Sequence, residues 1–183
     1  VRSSAHAGRA ASLSILFTTT ITGWPAWIAF FKTNFVCGIG PSFESIKSNL
    51  GGYFRSADEY IKLQVPDSNE REMLYLPIAQ IDNPQLKGFL AHEFVHVILF
   101  NQKNRIQGVD EEIWLNEARA DYASTILGYN DFYQGSNLQR RVRDFLDQPN
   151  DSLTEWQNSK YDYSAVSLFM HYLVDHYSIK IIT

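Results

Sequence analysis

The chain has 183 residues, the size of one domain or of two subdomains around a single cleft. Hydrophobic residues make up 45% and charged residues 20%, which is enough to bury a core and excludes a disordered chain. The formal charge of -4 and pI near 5.7 argue against nucleic-acid binding, and the one basic cluster, Arg140, Arg141 and Arg143, reads as a solvated helix face. Cys37 is the single cysteine, so a disulfide framework and a cysteine-based zinc site are both excluded.

In chain order, residues 13–31 (LSILFTTTITGWPAWIAFF) carry no charge and follow Arg2 and Arg9, the layout of a signal peptide or a membrane anchor. Threonines, Gly23 and Pro25 weaken the stretch as a spanning helix, and a buried or irregular segment is the alternative; residues 1–40 are therefore set apart. Gly51-Gly52 predicts a turn, Tyr60 to Val65 a strand, Pro66 to Asn69 a turn, and Glu72 to Ile78 a second, more apolar strand. Asn83-Pro84 predicts a helix start, because Asn caps and Pro suits a position whose N–H has no partner. That helix is expected to end near Phe100. Further helices are expected from Asp110 to a stop at Gly128, from Asn137 to Leu146, and from Tyr163 to Tyr177. The fold class is α+β: a small sheet with the first helix over 41–108, then a mostly helical subdomain over 109–183.

The first helix contains His92-Glu93-Phe94-Val95-His96. Histidines four apart leave a helix on one face, so both imidazoles can reach one ion at about 2.0–2.1 Å. Glu93, one residue on, is placed to polarise a water without binding the metal. A catalytic zinc site takes three protein ligands, and Glu117 on the next helix supplies the third. Asp121, four residues further on the same face, can accept the N–H of a ligand imidazole and fix its tautomer. Read alone, Glu117 and Asp121 would be a solvated acidic face, but the helix around them (Ile113, Trp114, Leu115, Ala118, Ala120, Ala123) is apolar.

HExxH followed by Asn116-Glu117-Ala118-Arg119-Ala120-Asp121 resembles the signature of the gluzincin clan of zinc metallopeptidases. More narrowly, the chain resembles the hyicolysin-like family over residues 50–177, through Gly51-Gly52-Tyr53-Phe54, Ser68 to Tyr75, Leu90 to His96, Glu111 to Ala123 and Tyr161 to Tyr177. Arg119 stands where many relatives have glycine. The resemblance implies a zincin-like fold and a zinc-dependent endopeptidase, secreted or in the cell envelope, with Zn2+ on His92, His96 and Glu117 and Glu93 as general base. It also implies that Tyr163, at the start of the last helix, is the oxyanion donor, with Tyr161 second and His171 and His176 behind it.

The expected partner is a peptide or protein substrate, added as a strand at an edge formed by Glu72 to Leu76 or Tyr60 to Gln64. No nucleic acid is expected; membrane association through residues 13–31 is open, and the chain is expected to be a monomer. Two alternatives stand beside the peptidase. One is a catalytically idle zincin-fold binding module at the cell surface, which retention of Glu93 argues against. The other is a deformylase-type hydrolase with Cys37 as ligand, which lacks a supporting glycine motif.

Overall fold

The computed structural model describes residues 12–16, 37–39, 51–77, 80–129 and 135–182. They form a mixed, mostly helical α+β chain that divides into two compact units, with the break between Asn83 and Pro84. The HExxH helix falls in the helical unit. Its buried residues pack against the next helix, so compactness follows that contact.

The first unit is an antiparallel sheet of β1 (Ser12–Leu16), β2 (Cys37–Ile39), β3 (Tyr53–Phe54) and β4 (Met73–Pro77), in the order β2-β1-β4-β3. Ser12 pairs with Pro77 and Leu16 with Met73, while Tyr53 pairs with Tyr75. Leu74, Tyr75 and Leu76 are all buried, as a central strand covered on both faces requires. The Tyr53 and Tyr75 rings stack 4.6 Å apart across their pair. The Glu72 to Ile78 expectation is met by β4 over Met73–Pro77, which lies between β1 and β3 and not at the edge of the sheet, with β3 pairing only Leu74 and Tyr75.

The expected Tyr60 to Val65 strand does not form. Ser56–Glu59 is a 3-10 turn, Gln64 and Val65 donate back to the Ile61 carbonyl at 2.9 and 3.0 Å, and the Lys62 N–H goes to Glu70 at 2.8 Å. With its backbone groups taken locally, the segment has no ladder to offer, and Leu63 is left 90% exposed.

The second unit contains α1 (Leu86–Leu99), α2 (Ile113–Ile126), α3 (Asn137–Asp147) and α4 (Lys160–Tyr177), with a closing 3-10 turn at Ile179–Ile182. α2 is the hub. Ala120 and Ala123 on one side pack against Ala91, Val95 and Leu99 of α1, and Ala118 and Tyr122 on the other pack against Val166 and Met170 of α4. Small residues let α1 and α2 approach closely: a Cβ added at Gly88 would stand 3.1 Å from Ser124 Oγ. Two ends are capped as their sequences direct. Ser136 accepts from the Gln139 N–H, and Ser159 with Asp162 forms a capping box on α4.

Several boundaries differ from expectation: α2 starts at Ile113 and not at Asp110, and α4 at Lys160 and not at Tyr163. Asn83 does not cap α1; its amide donates to Gln80 at 2.6 Å, and Gln85 holds the cap position. Nor does α1 stop at Phe100. Helical winding continues as π-helix over Phe100–Gln107, since nothing there breaks it, until Gly108 adopts a left-handed φ of 67°. Gly128 ends α2 in the same way, at φ 71°, as expected. Of the stretch 13–31, residues 13–16 lie in β1 and the rest falls outside the described residues. Among the described residues no helix is long and apolar enough to cross a membrane.

Candidate metal centre

His92 and His96 stand one helical turn apart on α1, their rings edge to face with centroids 4.9 Å apart. The packing of α1 on α2 brings Glu117 to them. Its Oε2 is 3.2 Å from His92 Nε2, and its Oε1 is 3.7 Å from His96 Nε2. One donor atom from each of the three residues lies within 4.8 Å of the others. A tetrahedral ion with bonds of about 2.0–2.1 Å would space its donors about 3.3–3.4 Å apart, so the cluster has the right dimensions.

Each ring is held from behind. His96 Nδ1 is hydrogen-bonded to Asn116 Oδ1. An amide oxygen only accepts, so Nδ1 carries the proton and Nε2 presents its lone pair towards Glu117. His92 Nδ1 faces Asp121 Oδ1 at 3.8 Å. Burial works against charge on His92, but Asp121 and Glu117 outweigh it and raise its pKa; burial and the neighbouring His92 charge lower that of His96. Burial would raise the Glu117 pKa, yet the two histidines bring it below the ordinary carboxylate range.

The fit to a cation rests on how the donor atoms face one another. Glu117 Oε2 is buried against His92 Nε2 at 3.2 Å, without a hydrogen bond of good geometry. A deprotonated His96 Nε2 also faces Glu117 Oε1, acceptor to acceptor. Such an arrangement costs free energy unless a cation stands between the groups. Two imidazoles and one carboxylate are a donor set that suits zinc.

Glu93 follows His92 on α1 and is 8% exposed; its charge contributes to raising both the His92 and Tyr163 pKa values. Tyr163 lies in the first turn of α4. Burial first, and then the charges of Glu117, Glu93 and Asp121, push its phenol well above the ordinary value, while Arg141 pulls it down. The same carboxylates that make the cluster therefore act on Tyr163. Its hydroxyl donates to Asn158 Oδ1 at 3.2 Å, and its ring meets Trp156 edge-on with centroids 4.9 Å apart. Tyr161 instead donates to Asp147 at 2.8 Å. His171 contacts Thr125 and Tyr122, and His176 the Tyr172 carbonyl.

Arg141 departs most from expectation. Read as part of a solvated face with Arg140 and Arg143, it is turned inward with its side chain 16% exposed. Its Nε and Nη2 donate to Asp121 Oδ2 and Oδ1 at 3.1 and 3.2 Å, and Asn137 adds a third donor at 3.3 Å. Burial alone would raise the Asp121 pKa, but the guanidinium holds it far below the usual range. Arg143, by contrast, is 71% exposed. Asn116 is a second residue that sequence reasoning misses; its one signal is its place immediately before Glu117. Arg119 pairs with Glu111 on α2's N-terminal side.

No protein-family model matches the chain, and the curated proteins and solved structures contain no significant match.

Proposed function

We propose that the chain is a zinc-dependent endopeptidase of the gluzincin type, on a zincin-like form of the α+β fold. One observation carries the reading: two imidazole nitrogens and a carboxylate oxygen, drawn from two packed helices, converge within 4.8 Å. The resemblance over residues 50–177 supports it and adds a hyicolysin-like affiliation and a secreted or cell-envelope setting.

In this reading His92, His96 and Glu117 hold the metal, with Asn116 and Asp121 behind the rings. Bound zinc supplies Lewis acidity, polarising a carbonyl and bringing the pKa of water to about 7. Glu93 takes the proton of the attacking water and hands it to the leaving amine, the two halves of general base and general acid work. Tyr163 donates its hydroxyl to the oxyanion, a contact that is typically worth about 2.7–4 kcal/mol. The substrate is a peptide, bound by a monomer, and the acidic net charge of -4 gives nucleic acid no electrostatic footing.

The test is metal analysis together with casein digestion by wild type and Glu93→Gln. The expected result is about one zinc per chain in both proteins and a loss of proteolysis by about 10²–10⁴-fold in the variant. Proteolysis that survives chelation would overturn the reading. Zinc retention without any proteolysis in the wild type would point to the binding module instead.

A further inference from the structure

α3 carries three arginines, and they do different things. Arg140 donates to Asn137 on its own helix and Arg143 reaches the adjacent Asp144, both from the helix surface. Arg141 alone is withdrawn from solvent, and a buried guanidinium is tolerated only where its charge and donors are matched. Asp121 matches them with a two-point fork, one N–H to each carboxylate oxygen, and is itself only 4% exposed. The fork closes Asp121's rotational freedom and leaves Oδ1 facing His92 Nδ1. The same guanidinium lies over the Tyr163 ring, with Cζ 4.8 Å from the ring centroid. One side chain from α3 therefore touches both the acid behind a proposed metal ligand and the proposed oxyanion donor on α4.

We propose that Arg141 is a positioning residue of the metal centre: its fork holds Asp121 behind His92 while the same guanidinium packs over the Tyr163 ring. The Tyr163 half rests on the peptidase reading. The Asp121 half stands on metal binding alone.

The experiment measures zinc affinity by competition with a chromophoric chelator, the visible spectrum of the Co2+-substituted protein, and kcat and KM on a peptide, for wild type, Arg141→Gln, Arg141→Lys, Tyr163→Phe and the Arg141→Gln/Tyr163→Phe double variant. Arg141→Gln is expected to weaken zinc about 10–100-fold, the usual effect of losing support behind a ligand, and to alter the Co2+ spectrum. It should lower kcat more than it raises KM. Arg141→Lys keeps the charge without the fork, so zinc should still weaken, by roughly 3–10-fold. Tyr163→Phe should leave zinc affinity unchanged, and its cost in kcat should be smaller in the Arg141→Gln background than in wild type.

Zinc affinity within twofold of wild type and an unaltered Co2+ spectrum in Arg141→Gln would overturn the proposal. So would an equal cost of Tyr163→Phe in both backgrounds. If circular dichroism shows that Arg141→Gln does not fold, Arg141→Lys decides, and zinc affinity within twofold of wild type overturns the proposal there. A wild type that binds zinc and cleaves no peptide overturns the peptidase reading and the Tyr163 half with it, while the zinc measurements still decide the hold on Asp121.

Discussion

In the sheet unit Asp58 is completely buried, and its carboxylate is saturated by the chain itself. Oδ1 accepts from Arg55 at 3.0 Å, from the Asn69 N–H at 2.9 Å and from the Asn69 amide at 3.1 Å, and Oδ2 accepts the Tyr75 hydroxyl at 2.5 Å. In the helical unit Glu117 sits between two histidines, with one oxygen buried 3.2 Å from His92 Nε2 and the other 3.7 Å from His96 Nε2. Both clusters place carboxylates out of water, where an unmatched acceptor is costly. The first spends three hydrogen bonds within the 51–71 segment and a fourth on Tyr75 of β4, so it explains itself as structure. The second leaves His96 Nε2 and Glu117 Oε1 facing each other at 3.7 Å, an arrangement a cation would relieve. Satisfaction of the acceptors, more than burial or charge, separates a structural polar cluster from a candidate site.

The largest effect expected from this contrast is in the metal-free protein. Asp58→Ala strips the acceptor from the Arg55 and Tyr75 donors and should cost about 3–5 kcal/mol in urea unfolding followed by circular dichroism. Glu117→Ala removes one of the two carboxylates beside His92 and leaves Asp121 there, so it should cost less, about 1–2 kcal/mol. Equal losses would break the comparison. Zinc then sharpens it: free zinc at 100 times its Kd should stabilise the wild type by about 2.7 kcal/mol and leave Glu117→Ala unmoved. Asp58→Ala should keep the full zinc increment, because its defect lies in the other cluster.

The pH dependence of the Asp58 cluster follows from Tyr75. Burial, and then the bond to Asp58, raise its phenol above the ordinary 10.0. A raised folded value means that the contribution is complete below pH 10 and is lost as pH rises towards the folded value. Stability should therefore fall above that pH, and Tyr75→Phe, though less stable at neutral pH, should show a shallower alkaline slope. Tyr53, whose phenol burial also raises, accounts for part of what is left.

The smallest effect concerns the helix crossing that brings His92, His96 and Glu117 together. Alanine at Gly88 gains helix propensity but meets Ser124 Oγ at 3.1 Å, so the single change should be near neutral. In a Ser124→Ala background, where the obstruction is gone, Gly88→Ala should stabilise by about 0.5–1 kcal/mol. Thermal unfolding of the four proteins reads this cycle directly, and a stabilising single change would show that α1 and α2 have slack between them.

Local features are legible in the sequence. The spacing of four between His92 and His96, the stop at Gly128 and the apolar run of β4 depend only on residues near one another in the chain. The same local logic fails where a partner decides the outcome. Tyr60 to Val65 alternates like a strand, but its backbone is claimed by Ile61 and Glu70.

What the sequence determined by itself is the donor types, their helical register and the α+β content, because helix periodicity and ligand chemistry are properties of short stretches. Only the tertiary structure decided that Glu117 reaches both imidazoles, that Asn116 rather than a longer-range residue holds His96, and that Arg141 turns inward to an aspartate 20 positions away. Those choices arise when small residues bring α1 and α2 together and α3 is laid beside them: a charge leaves the surface only where a matching charge has already been buried.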